Sequence, residues 1–293
     1  MLTNKRDFTL DWLKAISISL VIIYHLQPIQ LYYHETRSLA EKIIAHTIHL
    51  INSHIFSLAV PVFFLTSLYL FISKLRDIDI TDQKNYLLGR FKRIFGLYIF
   101  YFSIQVLLFM TFINYLPSLP IPEINHPEVN AVLKNPIILI IENFWSGGPP
   151  LPFISYSVFY FLLDLSIVTC LAFYFNKLSI ELKRILSIVI ISLTCLYFEI
   201  APIIGHTIYA YRIENFLIYI PIANLWVNST QSFLNYRRAY LFGFLLFSLH
   251  DQILMKYNWG GALYSRVSVV LGALALIGYA YNTATHSPCD RIP

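Results

Sequence analysis

The sequence predicts an all-α membrane protein, a polytopic integral membrane bundle of about eight transmembrane helices. Three observations predict it. Hydrophobic residues make up 57% of the 293 positions and charged residues 13%, a balance far from that of a soluble domain. The apolar runs are about 16–25 residues long, the length a helix needs to cross ~30 Å of hydrocarbon, and they lack the short alternation of an outer-membrane barrel. The lysines and arginines gather on alternate loops. With the N-terminus inside, the cytoplasmic segments hold Lys5, Arg6, every basic residue of 74–93, Lys177, Lys183, Arg184, Arg237, Arg238 and Arg291. The outside holds fewer: Arg37, Lys42, Lys134, Arg212, Lys256 and Arg266. This asymmetry sets both ends in the cytoplasm. It also accounts for the net charge of +5 without a nucleic-acid partner.

The first span is read at 8–27. Its start has no small-residue cleavage site, so a retained helix is expected rather than a removed signal peptide. Lys14 and His25 share a face of this helix, because eleven residues at about 100° each make almost three turns, roughly 16 Å along the axis. Asp11 adds a carboxylate to the same stripe. Ionisable groups in an apolar segment are costly in lipid, so they face a protein interior or an aqueous cavity. Residues 28–53 contain HETRSLAEKIIAHTIHLIN, whose apolar positions suit a short helix on the membrane surface. The second span is read at 54–73 and the third at 94–116, with a basic cytoplasmic loop between them. Residues 117–150 are proline-rich around an apolar stretch at 136–145, which is too short to span and is re-entrant or interfacial.

Further spans are read at 151–175, 185–203, 214–228, 239–254 and 264–282, leaving 283–293 as a short cytoplasmic tail. With no internal repeat, residues 1–293 read as a single membrane-embedded domain. Cys170, Cys195 and Cys289 fit no metal or disulfide pattern, and no metal is expected. Asp164, Glu199, His250 and Asp251 are ionisable groups at membrane depth and so are candidates for function. Asp164 lies four after Tyr160, on one helix face. The side chains of His250 and Asp251 diverge by about 100° on a helix, so they form no ready-made dyad. Glu199, His206 and Arg212 are placed toward an outer helix end.

Four features together resemble acyltransferase family 3, the membrane O-acyltransferases of bacteria and some animals. Lys14 and His25 match the Arg/Lys-x10-His pattern of its first helix. VPVFFLTSLYLF at 60–71 resembles its FFxxSG pattern, with Leu68 at the family's glycine. Arg90-Phe91-Lys92-Arg93 matches its Arg-x-x-Arg, and FYFLLDL at 159–165 resembles a later aromatic-Phe-Leu-x-x-Leu segment. Family members usually have ten spans, so this chain is expected to be short at its C-terminus.

The resemblance implies transfer of an acyl group, usually acetyl from acetyl-CoA, onto a hydroxyl of a surface glycan or lipid-linked sugar. A hydroxyl needs a base within hydrogen-bond reach, and the unperturbed pKa of histidine suits that task, which makes His25 the candidate general base. Lys14 attracts a CoA phosphate, orients the acyl carbonyl, or simply pairs with Asp11. Arg90 and Arg93 are neighbours if their segment is helical, and two guanidinium forks grip phosphate oxygens bidentately, with Lys92 and Lys84 adding charge. The plain alternative is a basic loop of the kind every cytoplasmic segment gathers. Ser67, Tyr24, Tyr69 and Tyr160 are possible donors to the oxyanion, and Asp164 is a further candidate of the same cavity. The expected setting is the bacterial inner membrane, with the lipid bilayer, acyl-CoA and the glycan as partners. The alternative functions are a flippase for a lipid-linked glycan, or an inactive truncated relative.

Overall fold

The computed structural model describes residues 8–26, 38–112, 135–148, 159–201, 203–206, 208–209, 211–255 and 264–286, and every regular element among them is helical. They divide into two compact units. The first draws on Met1–Arg76, Phe175–Ala210 and Glu214–Pro293, and the second on Asp77–Tyr174 and Tyr211–Ile213.

In the first unit, α1 (Phe8–Leu26) is one unbroken helix, as the apolar run predicts. Leu10, Leu13 and Ser17 are buried along one stripe, whereas Phe8, Trp12 and Ile18 stay exposed. Ser17 and Ser19 donate to the carbonyls of Leu13 and Ala15 at 2.7 and 3.0 Å, which satisfies two hydroxyls inside an apolar helix. The short helix expected within 28–53 is α2 (Leu39–Leu50). A reciprocal capping box starts it: the Glu41 amide donates to Ser38 Oγ, and the Ser38 amide donates to the Glu41 carboxylate. The chain then passes through a π-helical turn (Ile51–Ile55) and a 3-10 turn (Phe56–Leu58) into α3 (Ala59–Asp77). Leu68, which stands at the family's glycine, is fully buried, so its side chain fills that position.

The rest of this unit is α7 (Ile180–Ile200), α8 (Tyr219–Asn228), α9 (Thr230–Asn235), α10 (Arg237–Met255) and α11 (Val267–His286). The span read at 214–228 needs correction. Its regular α-helix has only 10 residues, about 15 Å, or half the hydrocarbon thickness. It is buried nearly all round rather than on one face. Trp226 stacks on Tyr69 at 4.1 Å and on Phe233 at 5.4 Å, and Phe216 stacks on Phe64 at 4.3 Å. These rings form the core of the unit.

Helix ends meet in two groups. At one end, Arg76 in the last turn of α3 donates to the Val227 carbonyl at 3.3 Å and to the Asn228 side chain, where the unpaired carbonyls of α8 concentrate. Lys183, in the first turn of α7, is held below the ordinary lysine range, first by partial burial and then by the like charge of Arg76. Arg237 opens α10 against Gly278 of α11, where an added Cβ would lie 2.7 Å from the Arg237 Cβ. At the other end lie the close of α7 and α10, the start of α11, and the turns before α3. α3, α7, α10 and α11 therefore alternate in direction, with Arg76, Lys183 and Arg237 at one end and Arg266 at the other.

The second unit holds α4 (Gln83–Phe112), α5 (Pro136–Glu142) and most of α6 (Tyr160–Asn176). α4 corrects another boundary. It begins eleven residues before the predicted 94, so Arg90, Lys92 and Arg93 stand on the long helix itself and not on a loop. Its 30 residues extend about 45 Å, enough to cross ~30 Å of hydrocarbon and carry the basic turns beyond it. The stretch at 136–145 is the short α5 followed by a turn docked on α4. The Tyr98 hydroxyl donates to the Phe144 carbonyl, and Phe144 meets Tyr98 and Phe102 edge-on at 5.3 and 5.1 Å. Gly148 closes this turn at φ 136°, with an added Cβ only 1.9 Å from Gln105 Oε1. Only glycine fits there. Two helical runs, Phe56–Asp77 and Gln83–Thr111, are long and apolar enough to cross a membrane by length and composition.

Candidate functional site

The expected residues of the first unit lie mainly on α1. The helix is continuous from Asp11 through Lys14 to His25, so Lys14 and His25 fall within about 20° of one face. Lys14 and Asp11 are half-buried, as is Ser67 on α3. α1 packs against the Phe56–Leu58 turn and α11. The side chains of Tyr24 and His25 lie outside the described residues.

The expected phosphate-binding residues lie in the second unit. Arg90 and Arg93 are one turn apart on unbroken α4, which makes them neighbours as the spacing requires. Arg90 is half-buried and hydrogen-bonded to Tyr86, one turn earlier, whereas Lys92 and Arg93 are exposed. Asp164 is buried on α6 in the same unit, near enough to Tyr98 for the two to interact electrostatically. The candidate residues fall in two units. Asp11, Lys14, His25 and Ser67 belong to the first unit; Arg90, Lys92, Arg93 and Asp164 belong to the second.

The densest polar cluster among the described residues is one that spacing did not bring out. Asp251 on α10 is 1% exposed and collects three partners. His54 Nε2 lies 3.2 Å from its Oδ2, the Ser268 hydroxyl donates to Oδ2 at 2.5 Å, and Arg266 Nη1 stands 3.8 Å from the same atom. His54, Ser268 and Arg266 are all nearly fully buried. Beside them, His250 Nδ1 is 3.9 Å from both Glu199 Oε2 and Asp251 Oδ1. The adjacent pair does diverge as helix geometry requires: Asp251 turns into the core and His250 stays half exposed.

Two sequence expectations change here. Arg266, read as an external loop charge, is 3% exposed and completes a buried ion pair. Glu199, grouped with His206 and Arg212, meets His250 instead, and Arg212 belongs to the second unit. The available signal was that each member is a polar group in or at the edge of an apolar run. His54 stands at the first position of the predicted span 54–73.

Glu199, His250 and Asp251 place one ligand atom each within 4.8 Å of one another, a donor set that could take a divalent cation. The buried guanidinium of Arg266 already supplies positive charge to Asp251, so the arrangement fits an ion-pair network better than a cation site.

Comparison with known proteins agrees with this frame. No curated protein and no solved structure matches the chain. A family model described as an acyltransferase domain, that of acyltransferase family 3, matches residues 7–290. That match runs through both units, from the Lys14–His25 helix and the Arg90–Arg93 turn to the last described helix. The chain belongs to acyltransferase family 3.

Proposed function

We propose that this protein is a membrane O-acyltransferase that moves an acyl group, acetyl in the simplest case, from cytoplasmic acyl-CoA to a hydroxyl of an extracytoplasmic glycan. The observation that supports it most is the family match combined with an unbroken α1 carrying Lys14 and His25 on one face. The exposed apolar residues of α4, α7 and α10, such as Leu107, Ile188, Leu193, Phe242 and Leu245, suit contact with lipid. The alternation of α3, α7, α10 and α11, with Arg76, Lys183 and Arg237 at one end of the first unit, suits an inner-membrane bundle with its N-terminus in the cytoplasm.

In this reading the nucleotide half of CoA rests against Arg90, Lys92 and Arg93, whose charged forks match phosphate oxygens. His25 takes the proton of the acceptor hydroxyl as that oxygen bonds to the acyl carbon, and the C–S bond then breaks to release CoA. Lys14, deeper on the same face, orients the donor electrostatically. Ser67 is a candidate donor to the oxyanion.

Mass spectrometry of the surface glycan tests the reading, using cells with the wild-type gene, no gene, and His25→Ala. The expected result is an acyl mass increment with wild type alone, while the variant still inserts in the membrane. Identical glycans in all three strains would refute it.

A further inference from the structure

We propose that Tyr86 is a positioning residue of the acyl-CoA site: it holds the Arg90 guanidinium in the orientation that, together with Arg93, receives phosphate oxygens of the donor. This rests on the reading above, in which Arg90, Lys92 and Arg93 meet the nucleotide half of CoA.

Three observations carry it. The first is the bond itself. Tyr86 and Arg90 are joined by a side-chain hydrogen bond, one turn apart on unbroken α4. Residues four apart on a helix are neighbours, so the contact forms within α4 alone. Guanidinium N–H groups only donate, so the phenol oxygen is the acceptor. Both side chains are half-buried. A long arginine side chain loses much rotamer freedom when a ligand fixes it. Tyrosine has only two side-chain torsions and makes a stiffer support. A guanidinium already held before the donor arrives loses less freedom on binding, which is the gain of preorganisation.

The second observation is charge. Arg93 is near enough for its like charge to act on Arg90. Such a pair is mutually repulsive on a helix. Neither Lys92 nor Arg93 forms an ion pair among the described residues. A phosphate lying between two guanidinium forks relieves that repulsion and is gripped by both. A carboxylate in the place of Tyr86 would also hold Arg90, but it would neutralise the charge the phosphate needs. A neutral phenol fixes the fork and leaves its charge for the ligand.

The third is access. At 100° per residue, Tyr86, Arg90 and Arg93 fall on one stripe of α4 about 60° wide, with Gly89 at its edge, one turn before Arg93. An added Cβ at Gly89 would meet nothing within 4 Å. Lys92 and Arg93 are exposed. The stripe is therefore open to a soluble ligand, in contrast to the buried cluster around Asp251.

The test is steady-state kinetics on the full-length protein in membranes. The donor is acetyl-CoA, and the acceptor is glycan extracted from cells lacking the gene. Tyr86→Phe removes one oxygen and keeps the ring, so the surrounding packing stays. The expected result is a donor KM raised about three- to tenfold, with kcat and the acceptor KM unchanged. A merely structural role would lower the amount of folded enzyme and leave the donor KM where it was. A cycle with Arg90→Ala isolates the path. In that background Tyr86→Phe should change the donor KM by less than about 1.5-fold, because no guanidinium remains to be held.

An unchanged donor KM in Tyr86→Phe overturns the proposal. So does an equal rise with and without Arg90, which would make the hydroxyl a ligand contact of its own. If wild type transfers no acyl group, the acyltransferase reading falls and the role of Tyr86 falls with it. If wild type is active but Arg90→Ala leaves the donor KM unchanged, the phosphate assignment falls and takes Tyr86 with it. If Arg90→Ala raises the donor KM and Tyr86→Phe does not, only the role of Tyr86 is lost.

Discussion

Asp251→Asn should destabilise the protein strongly, and the size of the effect follows from what the carboxylate holds. The change keeps the side-chain shape and an acceptor for Ser268 but removes the charge opposite Arg266. Asp251 and Arg266 are 1% and 3% exposed, with nitrogen and oxygen 3.8 Å apart. At an effective dielectric constant of about 20, that separation corresponds to an attraction of roughly 4 kcal/mol. Breaking a buried pair by removing one partner costs about 3–5 kcal/mol, because the remaining charge stays desolvated. For a chain of this size the thermal midpoint should fall by roughly 10 °C. The assay is thermal unfolding of the detergent-solubilised protein by tryptophan fluorescence, with buried Trp226 as an internal reporter. The decisive control is the double variant Asp251→Asn with Arg266→Met. Removing both charges should recover most of the loss, since the penalty belongs to the orphaned guanidinium rather than to the missing attraction. A single variant that melts within about 2 °C of wild type would refute the reasoning, as would a double variant no better than the single.

Replacing Arg90 and Arg93 together by alanine should raise the apparent KM for acyl-CoA by about 10- to 100-fold and leave the acceptor KM unchanged, each charge-assisted bond to phosphate being worth about 1.5–3 kcal/mol. Steady-state kinetics with varied donor checks this, and an unchanged donor KM would remove the phosphate clamp. Gly148→Ala should cost about 1–3 kcal/mol and release the docked turn from α4, because the new Cβ meets Gln105 in a backbone region closed to other residues. A thermal melt reads the first effect, and protease sensitivity of 143–148 reads the second.

Much of the helical frame was legible in the sequence. Hydropathy and the 3.6-residue period are local properties, so α1, α3, α7, α10 and α11 are anticipated within about five residues, and α2 falls inside the stretch read as a short helix. Boundaries failed where two local signals disagreed. The basic run at Arg90–Arg93 reads as a loop by charge, yet it contains no helix breaker beyond Gly89, and α4 continues through it. α8 reads as a span by composition because a fully buried short helix and a lipid-exposed one are equally apolar.

What the sequence by itself determined is the helical class, the segregation of basic residues, and the shared face of Lys14 and His25, which an unbroken helix guarantees from spacing alone. Only the tertiary structure decided that Arg266 is an interior charge and that His54, Ser268 and Arg266 converge on Asp251. It also assigned Lys14 and His25 to one unit and Arg90, Lys92 and Arg93 to the other. The physical reason is range. Spacing along a helix is set by bonds between near neighbours, whereas His54 and Asp251 meet across 197 residues, and their contact arises when α3, α10 and α11 pack together.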